Sequence, residues 1–215
     1  MGAERRRRRM RELLQVERSL WAQGVQLVGG CDEVGVGPLA GPVVAAVVVI
    51  PPEIELEGVN DSKLLTPLQR ERLADSLERL ALAVGIGIVE AEEVDRMNVL
   101  RASLEAMRRA VRATRVKPEH LLVDARTVPD IDIPQTAIVD GDAISYAVAA
   151  ASIVAKVKRD AIMRQWHETY PQYGFARNMG YGTPEHLRAL AQYGPCPLHR
   201  RSFAPVRQLG LFQSK

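Results

Sequence analysis

The run Val43-Val44-Ala45-Ala46-Val47-Val48-Val49-Ile50 contains no polar side chain, and six of its residues are β-branched. A strand with one face in water alternates apolar and polar residues, so an unbroken apolar run points to a strand covered on both faces. Pro51 and Pro52 stop the run, and Gly35, Gly37, Pro38, Gly41 and Pro42 punctuate the turn that precedes it.

The other elements are placed around this strand. Residues 25–31 and 81–89 read as further strands, 120–123 as a short apolar strand ending at Asp124, and 137–139 as another. Residues 9–22 carry Leu13, Leu14, Val16, Leu20 and Trp21 in a helical pattern that Gly24 ends. Thr66 and Pro67 give the cap and first turn of a helix to about residue 80. A helix over 98–111 places Leu100, Leu104, Met107 and Val111 on one face. A long helix is expected over 143–170, and a short one over 184–192 after the capping residue Thr183. Strands come first, helices then alternate with strands, and helices dominate the last third. The expectation is an α/β fold, a mixed sheet flanked by helices with a helical C-terminal part. It is expected to span residues 1–215 as one domain, with a basic N-terminal helix over 1–24 and a tail over 207–215.

No apolar run approaches the roughly 20 residues that cross a bilayer, and the arginine-rich start lacks the apolar segment of a secretory signal. Cys31 and Cys196 belong to no paired or zinc-ligand spacing, so a cytoplasmic protein with reduced thiols is expected. The net charge is +3, but residues 1–12 hold six arginines against Glu4 and Glu12, which leaves the remainder at −1. Nucleic-acid binding therefore cannot be argued from global charge. The arginine run reads equally as a salt-sensitive phosphate contact or as a solvated helix start.

The chemistry is carried by carboxylates. Asp32 and Glu33 close a buried-looking strand, Asp124 closes another, and Asp142 follows Gly141 at the start of the long helix. Acids beside very apolar sequence are normally paired or bound to metal. With no Cys/His cluster, the natural partner is a hard dication with oxygen ligands. Two such ions suit phosphodiester hydrolysis. Plainer readings exist for two of the acids: Asp142 as a helix cap and Asp124 as a turn residue. Neighbouring strand residues point to opposite faces, so Asp32 and Glu33 take unequal roles, Asp32 bridging both ions and Glu33 binding one.

The segment GCDEVGVGPLAGPVVAAVVV (30–49) resembles the signature of bacterial type 2 ribonuclease H, ribonuclease HII. The resemblance continues through Asp61-Ser62-Lys63, Met97-Asn98, Val123-Asp124, GDAISYAVAAASIVAKVKRD (141–160), MGYGTPEHL (179–187) and HRRSFAPV (199–206). It implies a ribonuclease H-like fold and Mg²⁺- or Mn²⁺-dependent cleavage, with two ions, of RNA in RNA–DNA hybrids. It also implies incision on the 5′ side of single ribonucleotides in duplex DNA, leaving 5′-phosphate and 3′-hydroxyl ends. By motif position, Asp32, Glu33, Asp124 and Asp142 match the catalytic and metal-binding acids. Gly35, Val36 and Gly37 match the tripeptide whose backbone senses the ribose 2′-hydroxyl, and Tyr181 matches a sugar-stacking tyrosine. Ser62, Lys63, Asn98 and Ser145 are candidate phosphate contacts. For each of these positions the plainer readings are a tight turn, a packed loop aromatic and ordinary surface residues.

Two departures stand out. The family's tripeptide is usually Gly-Arg-Gly, but Val36 stands at its centre, and Met179 replaces the usual lysine before Gly-Tyr-Gly. Both remove a cation from the expected substrate face, predicting weaker affinity or altered preference rather than inactivity. The related type 3 ribonuclease H also lacks that arginine. Pro38-Leu39-Ala40-Gly41-Pro42 is of type 2 pattern, however, and no spare N-terminal domain of the type 3 kind is expected. Near the end, Gln208, Leu209, Leu211 and Phe212 resemble the extended peptide by which bacterial replication proteins bind the sliding clamp; a tail docked on its own domain is the alternative. The expected partners are thus RNA–DNA hybrid, ribonucleotide-containing duplex and the clamp, with the chain a monomer. Two other functions compete: a catalytically weak nucleic-acid-binding module, prompted by Val36 and Met179, and a two-carboxylate glycosidase, disfavoured by an aromatic content of 5%.

Overall fold

The computed structural model describes residues 2–54 and 56–212, and the side chains of 209–212 lie outside that description. The chain opens with α1 (Ala3–Leu13) and α2 (Gln15–Ala22), then β1 (Val28–Val34), β2 (Val43–Ile50), α3 (Pro67–Leu80) and β3 (Ala83–Val89). It continues through α4 (Ala91–Met97), α5 (Val99–Ala113), β4 (His120–Asp124), β5 (Gln135–Ile138), α6 (Gly141–Ile144) and α7 (Tyr146–Thr169), and closes with α8 (Phe175–Asn178), α9 (Pro184–Tyr193) and α10 (Ala204–Phe212). The five strands form one mixed sheet in the order β3-β2-β1-β4-β5. β1 pairs antiparallel with β2 and parallel with β4, so it is the seam between the two halves of the sheet.

β2 explains its own composition. Val43, Ala45, Val47 and Val49 pack against Ala102, Ala106 and Met107 of α5. Ala46, Val48 and Ile50 face the opposite layer, where Tyr146, Ala150 and Ile153 of α7 and Leu77 of α3 meet them. All eight β2 residues are fully buried, which is why no polar alternation appears in the sequence. Each buried valine contributes roughly 1.5–3 kcal/mol. Gly30 lets α7 lie directly on β1: a Cβ at that position would come 2.0 Å from the carbonyl carbon of Ala147. The start of α7, with Asp142 just ahead of it, is thereby drawn against the strand that carries Asp32.

Local chemistry sets several element ends as expected. The Thr66 hydroxyl accepts from the Gln69 N–H at 3.3 Å while the Gln69 side chain accepts from the Thr66 N–H at 2.9 Å, a full capping box on α3. Thr183 caps α9 with its hydroxyl alone, which accepts from the His186 N–H at 3.3 Å.

Elsewhere the structure corrects the sequence reading. The helix expected over 9–22 begins at Ala3 and breaks at Leu14, because Leu13 and Leu14 are both buried and the chain must turn to enclose the pair. β1 extends through Val34, with Asp32 opposite Ala46 and Glu33 opposite Ala45, so these acids lie inside the ladder rather than at its end. α4 was not expected; a capping box between Glu90 and Glu93 starts it and Asn98, at φ 71°, separates it from α5. The expected long helix is interrupted at Ser145, whose extended backbone and capping hydroxyl start α7 afresh. β5 occupies Gln135–Ile138, shifted from the expected 137–139. The tail, expected to be extended, is helical to Phe212; the side chains of Leu209, Leu211 and Phe212 in the clamp-like peptide lie outside the described residues. Among the described residues no helix is long and apolar enough to cross a membrane.

Candidate active site

Asp32 and Glu33 leave the same strand in opposite directions. Asp32 shares its face with Gly30, on the α7 side, while Glu33 shares its face with Cys31, on the α5 side, beside Val99, Ser103 and Met107. Glu33 nevertheless reaches round the strand: one oxygen from each of Asp32, Glu33 and Asp124 lies within 4.8 Å of the others. The Glu33 N–H donates to Asp32 Oδ1 at 2.7 Å, and the Gly141 N–H donates to Asp124 Oδ1 at 2.7 Å. Asp142 lines the same cleft and is buried, but stands outside that tight trio. Lys63 Nζ donates to Asp142 Oδ2 at 3.2 Å. Asp142 is not a helix cap; α6 is preceded by Asp140 and α7 is capped by Ser145.

The cluster is electrostatically loaded. Burial, then the charges of Glu33 and Asp124, push the Asp32 carboxyl well above the usual carboxylate range. Burial also raises Glu33, with Asp124 adding to it and the nearby Ser103 hydroxyl opposing. Asp124 is raised by burial, and Asp142 adds to the rise while the Gly141 N–H opposes it. Oε2 of Glu33 is buried with no hydrogen-bond partner. A buried, partnerless carboxylate oxygen among converging acids is what a hard dication would satisfy, so the residues present fit a divalent metal site.

The glycine loop is held from beneath by two fully buried arginines. Arg200 donates to the carbonyls of Gly35 (2.6 Å), Val36 (2.9 Å) and Gly41 (2.8 and 3.0 Å). Arg159 donates to those of Pro42 (3.0 Å), Met179 (3.0 Å) and Ala40 (3.2 Å). The pair thus joins the 35–42 loop to the loop carrying Tyr181. Burial, with Arg159 nearby, lowers the Arg200 pKa to about 9, which leaves it a cation at neutral pH. Gly35 is required by the fold: its φ is +90° and a Cβ would meet Arg159 Nε at 2.2 Å. Gly37 is not; a Cβ there would touch only the Tyr181 ring, at an ordinary 3.8 Å. Tyr181 is exposed at the lip of the carboxylate cleft.

The remaining sequence candidates divide. Ser62 and Lys63 line the cleft, with the Ser62 hydroxyl 2.9 Å from that of Ser152. Asn98 is exposed, and its side chain accepts from the Arg101 N–H as the cap of α5. Ser145 departs from the expectation of a phosphate contact: it is fully buried, and its hydroxyl donates to Glu17 at 2.6 Å and accepts from the Val148 N–H. Val36 stands on the wall of an apolar recess beside Glu33, and Arg126 lines that recess too. Arg126, Arg159, Arg200 and Ser152 were not singled out from sequence. Arg159 had a signal: it falls between Ala155 and Met163 at spacings of four, on the buried stripe of α7.

A mixed sheet with acids converging beside its seam, flanked by helices and fitted for dications, defines a metal-dependent nuclease of the ribonuclease H-like kind. Residues 29–206 match the family model described as Ribonuclease HII. A ribonuclease HII of Geobacillus thermodenitrificans is 54% identical over 202 residues, covering 94% of this chain and 78% of the relative. A crystal structure of ribonuclease H2 from Pyrococcus horikoshii superposes with a TM-score of 0.71 at 31% identity, covering 88% of this chain and all of that one. A structure of a PCNA:RNase HII complex from Archaeoglobus fulgidus does so at 0.69 and 26%, covering 83% and 95%. The chain belongs to the ribonuclease HII family, and with it to the metal-dependent endonucleases that act on RNA–DNA hybrids.

Proposed function

We propose that the chain hydrolyses the RNA strand of RNA–DNA hybrids and incises on the 5′ side of single ribonucleotides in duplex DNA, using two Mg²⁺ or Mn²⁺ ions. The observation that carries this reading is the convergence of Asp32, Glu33 and Asp124, with Glu33 Oε2 left unpartnered, near a glycine the fold does not require. Asp32, Glu33, Asp124 and Asp142 would hold the ions, with Asp32, Glu33 and Asp124 as the close trio. Bound there, the ions supply Lewis-acid polarisation of the phosphate and activation of water.

The protein's own groups do the rest. Gly141 holds the Asp124 carboxylate in place. Gly37 lets substrate approach the backbone, where main-chain groups recognise a 2′-hydroxyl. That recognition does not need the guanidinium Val36 lacks, and Arg126 supplies a cation on the same wall as Val36. Tyr181 offers an aromatic face to the sugar beside the cut. Lys63 neutralises Asp142 and stands ready to meet a phosphate. The relative's complex with PCNA supports a clamp contact through Gln208, Leu209, Leu211 and Phe212, which requires the end of α10 to unwind if the peptide binds extended.

The test is a duplex with one ribonucleotide, incubated with Mg²⁺, Mn²⁺ or chelator. Metal-dependent cleavage 5′ of the ribonucleotide, abolished in Gly37→Ala, is expected. Cleavage in chelator, or equal cleavage of an all-DNA duplex, would overturn the reading.

A further inference from the structure

The arginine run is a structured part of the molecule that borders the cleft. Arg5, Arg8 and Arg9, with Glu12, Asn60 and Leu64, line one surface cavity of about 370 Å³. Their spacing puts Arg5, Arg8, Arg9 and Glu12 on a single face of α1. Arg9 fastens that face to the catalytic region: it donates to the carbonyl of Ala143 at 2.8 Å, one residue from Asp142, and to Asn60 Oδ1 at 3.1 Å. The turn Ser62–Leu64 is the partition, for Ser62 and Lys63 line the carboxylate cleft while Leu64 lines the arginine cavity.

The charge on this face is only partly compensated. Glu12 pairs with Arg8 at 2.9 Å and more distantly with Arg9 at 3.9 Å. Arg5 makes no ion pair among the described residues. Arg6 and Arg7 pair with Glu57, away from this face. The cleft itself is lined by Asp32, Glu33, Asp124 and Asp142, which repel phosphate until dications neutralise them, and its two lysines, Lys63 and Lys156, are each paired with a carboxylate, Asp142 and Asp160. Unpaired positive charge for a phosphate backbone then lies beside the cleft, at Arg5, and guanidinium forks match phosphate geometry.

We propose that the Arg5–Arg8–Arg9 face of α1 is a second nucleic-acid contact, binding the sugar-phosphate backbone of the duplex where it extends past the cleft. This rests on the reading of the cleft as a ribonucleotide-cleaving site. The experiment compares the full chain with Arg5→Ala/Arg8→Ala and with the charge-preserving Arg5→Lys/Arg8→Lys. The probe is a labelled duplex with a central ribonucleotide, in a long form and in a form trimmed to end at the cleft. Dissociation constants are measured by anisotropy in chelator across a salt series, and KM in Mn²⁺.

On the long duplex the alanine pair is expected to weaken binding roughly tenfold or more. The slope of log K against log salt should fall by about 0.9 for each phosphate that is no longer neutralised. The lysine pair should keep most of the parent slope, and on the trimmed duplex all three proteins should bind alike. An alanine pair that matches the parent in slope and KM, or weakens both duplexes equally, overturns the proposal. So does tight capture by this face of an acidic polypeptide with no effect on duplex. If the parent fails to cleave the ribonucleotide duplex in Mn²⁺, the reading of the cleft fails first. If the parent cleaves and the alanine pair is indistinguishable from it, the arginine face fails alone.

Discussion

Replacing Asp32 with asparagine should make the metal-free protein more stable while destroying its response to metal. Asp32 is buried within 4.8 Å of oxygens of Glu33 and Asp124. At that distance and an effective dielectric of about 20, each neighbouring charge repels it by roughly 3 kcal/mol. Burial adds to that, and together they push the Asp32 carboxyl up. Holding a proton costs about 1.4 kcal/mol for each pH unit above the group's ordinary value, which for Asp32 is 3.8. The smaller penalty decides, so at pH 7 the native state carries a burden of at most about 4 kcal/mol from this one side chain. Asparagine removes it and keeps an oxygen for the Glu33 N–H.

The sign with pH follows. A carboxyl raised on folding has no effect below its ordinary pKa and destabilises increasingly as pH rises toward its folded pKa. Asp32→Asn and the parent should therefore melt together near pH 4. The variant should melt roughly 5–15 °C higher at pH 7 in chelator, at 2–4 °C per kcal/mol for a chain of this size. Manganese should close most of the gap: the parent gains about 2.7 kcal/mol at a hundredfold excess over Kd, and the variant gains little. Melting curves from pH 4 to 8, with chelator and with Mn²⁺, check both halves. A variant less stable than the parent at pH 7 in chelator, or equal stabilisation of both by Mn²⁺, would refute the carboxylate reasoning.

Three further outcomes are expected. Gly35→Ala should lower the melting temperature markedly while Gly37→Ala leaves it unchanged, because only the first position has φ at +90° and a Cβ against Arg159; equal shifts in differential scanning fluorimetry would contradict this. Arg200→Leu should destabilise by roughly 3 kcal/mol or more in urea denaturation, since three carbonyls lose their donor; a change below 1 kcal/mol would mean the staple is dispensable. His199, buried against His186 and held down to about 4, should show no NMR titration near pH 6.5. Its lowered pKa makes its contribution to stability complete above pH 6.5 and lost as pH falls toward 4, so a midpoint near the ordinary value would refute the neutral pair.

The layers of this fold were legible in the sequence because one strand has no polar residue and glycine-rich or capped segments mark its neighbours. The unequal geometry of Asp32 and Glu33 followed from strand periodicity and is what the structure has. Side-chain burial at long range was not legible. Nothing local to Ser145 says that Glu17, 128 residues earlier, reaches its hydroxyl. Two arginines satisfied only by main-chain carbonyls cannot be told from surface arginines without knowing which loops return beneath them. Backbone strain was equally hidden: among non-glycine residues at positive φ, Ala125 follows Asp124, Asp140 precedes Gly141-Asp142 and Met179 leads into Gly180-Tyr181.

The position of β1 at the seam has a consequence for how the protein is made. β1, β2 and β3 form a meander of modest sequence separation, and Asp32 and Glu33 are in place once it has formed. Their partners arrive with β4 and α6, about ninety to a hundred and ten residues further on, through a parallel pairing that demands closure of a long loop. A chain emerging with only its first half folded holds two of the four acids. Completion of the carboxylate cluster is thus coupled to the long-range contacts of the fold, and a partly synthesised molecule lacks Asp124 and Asp142.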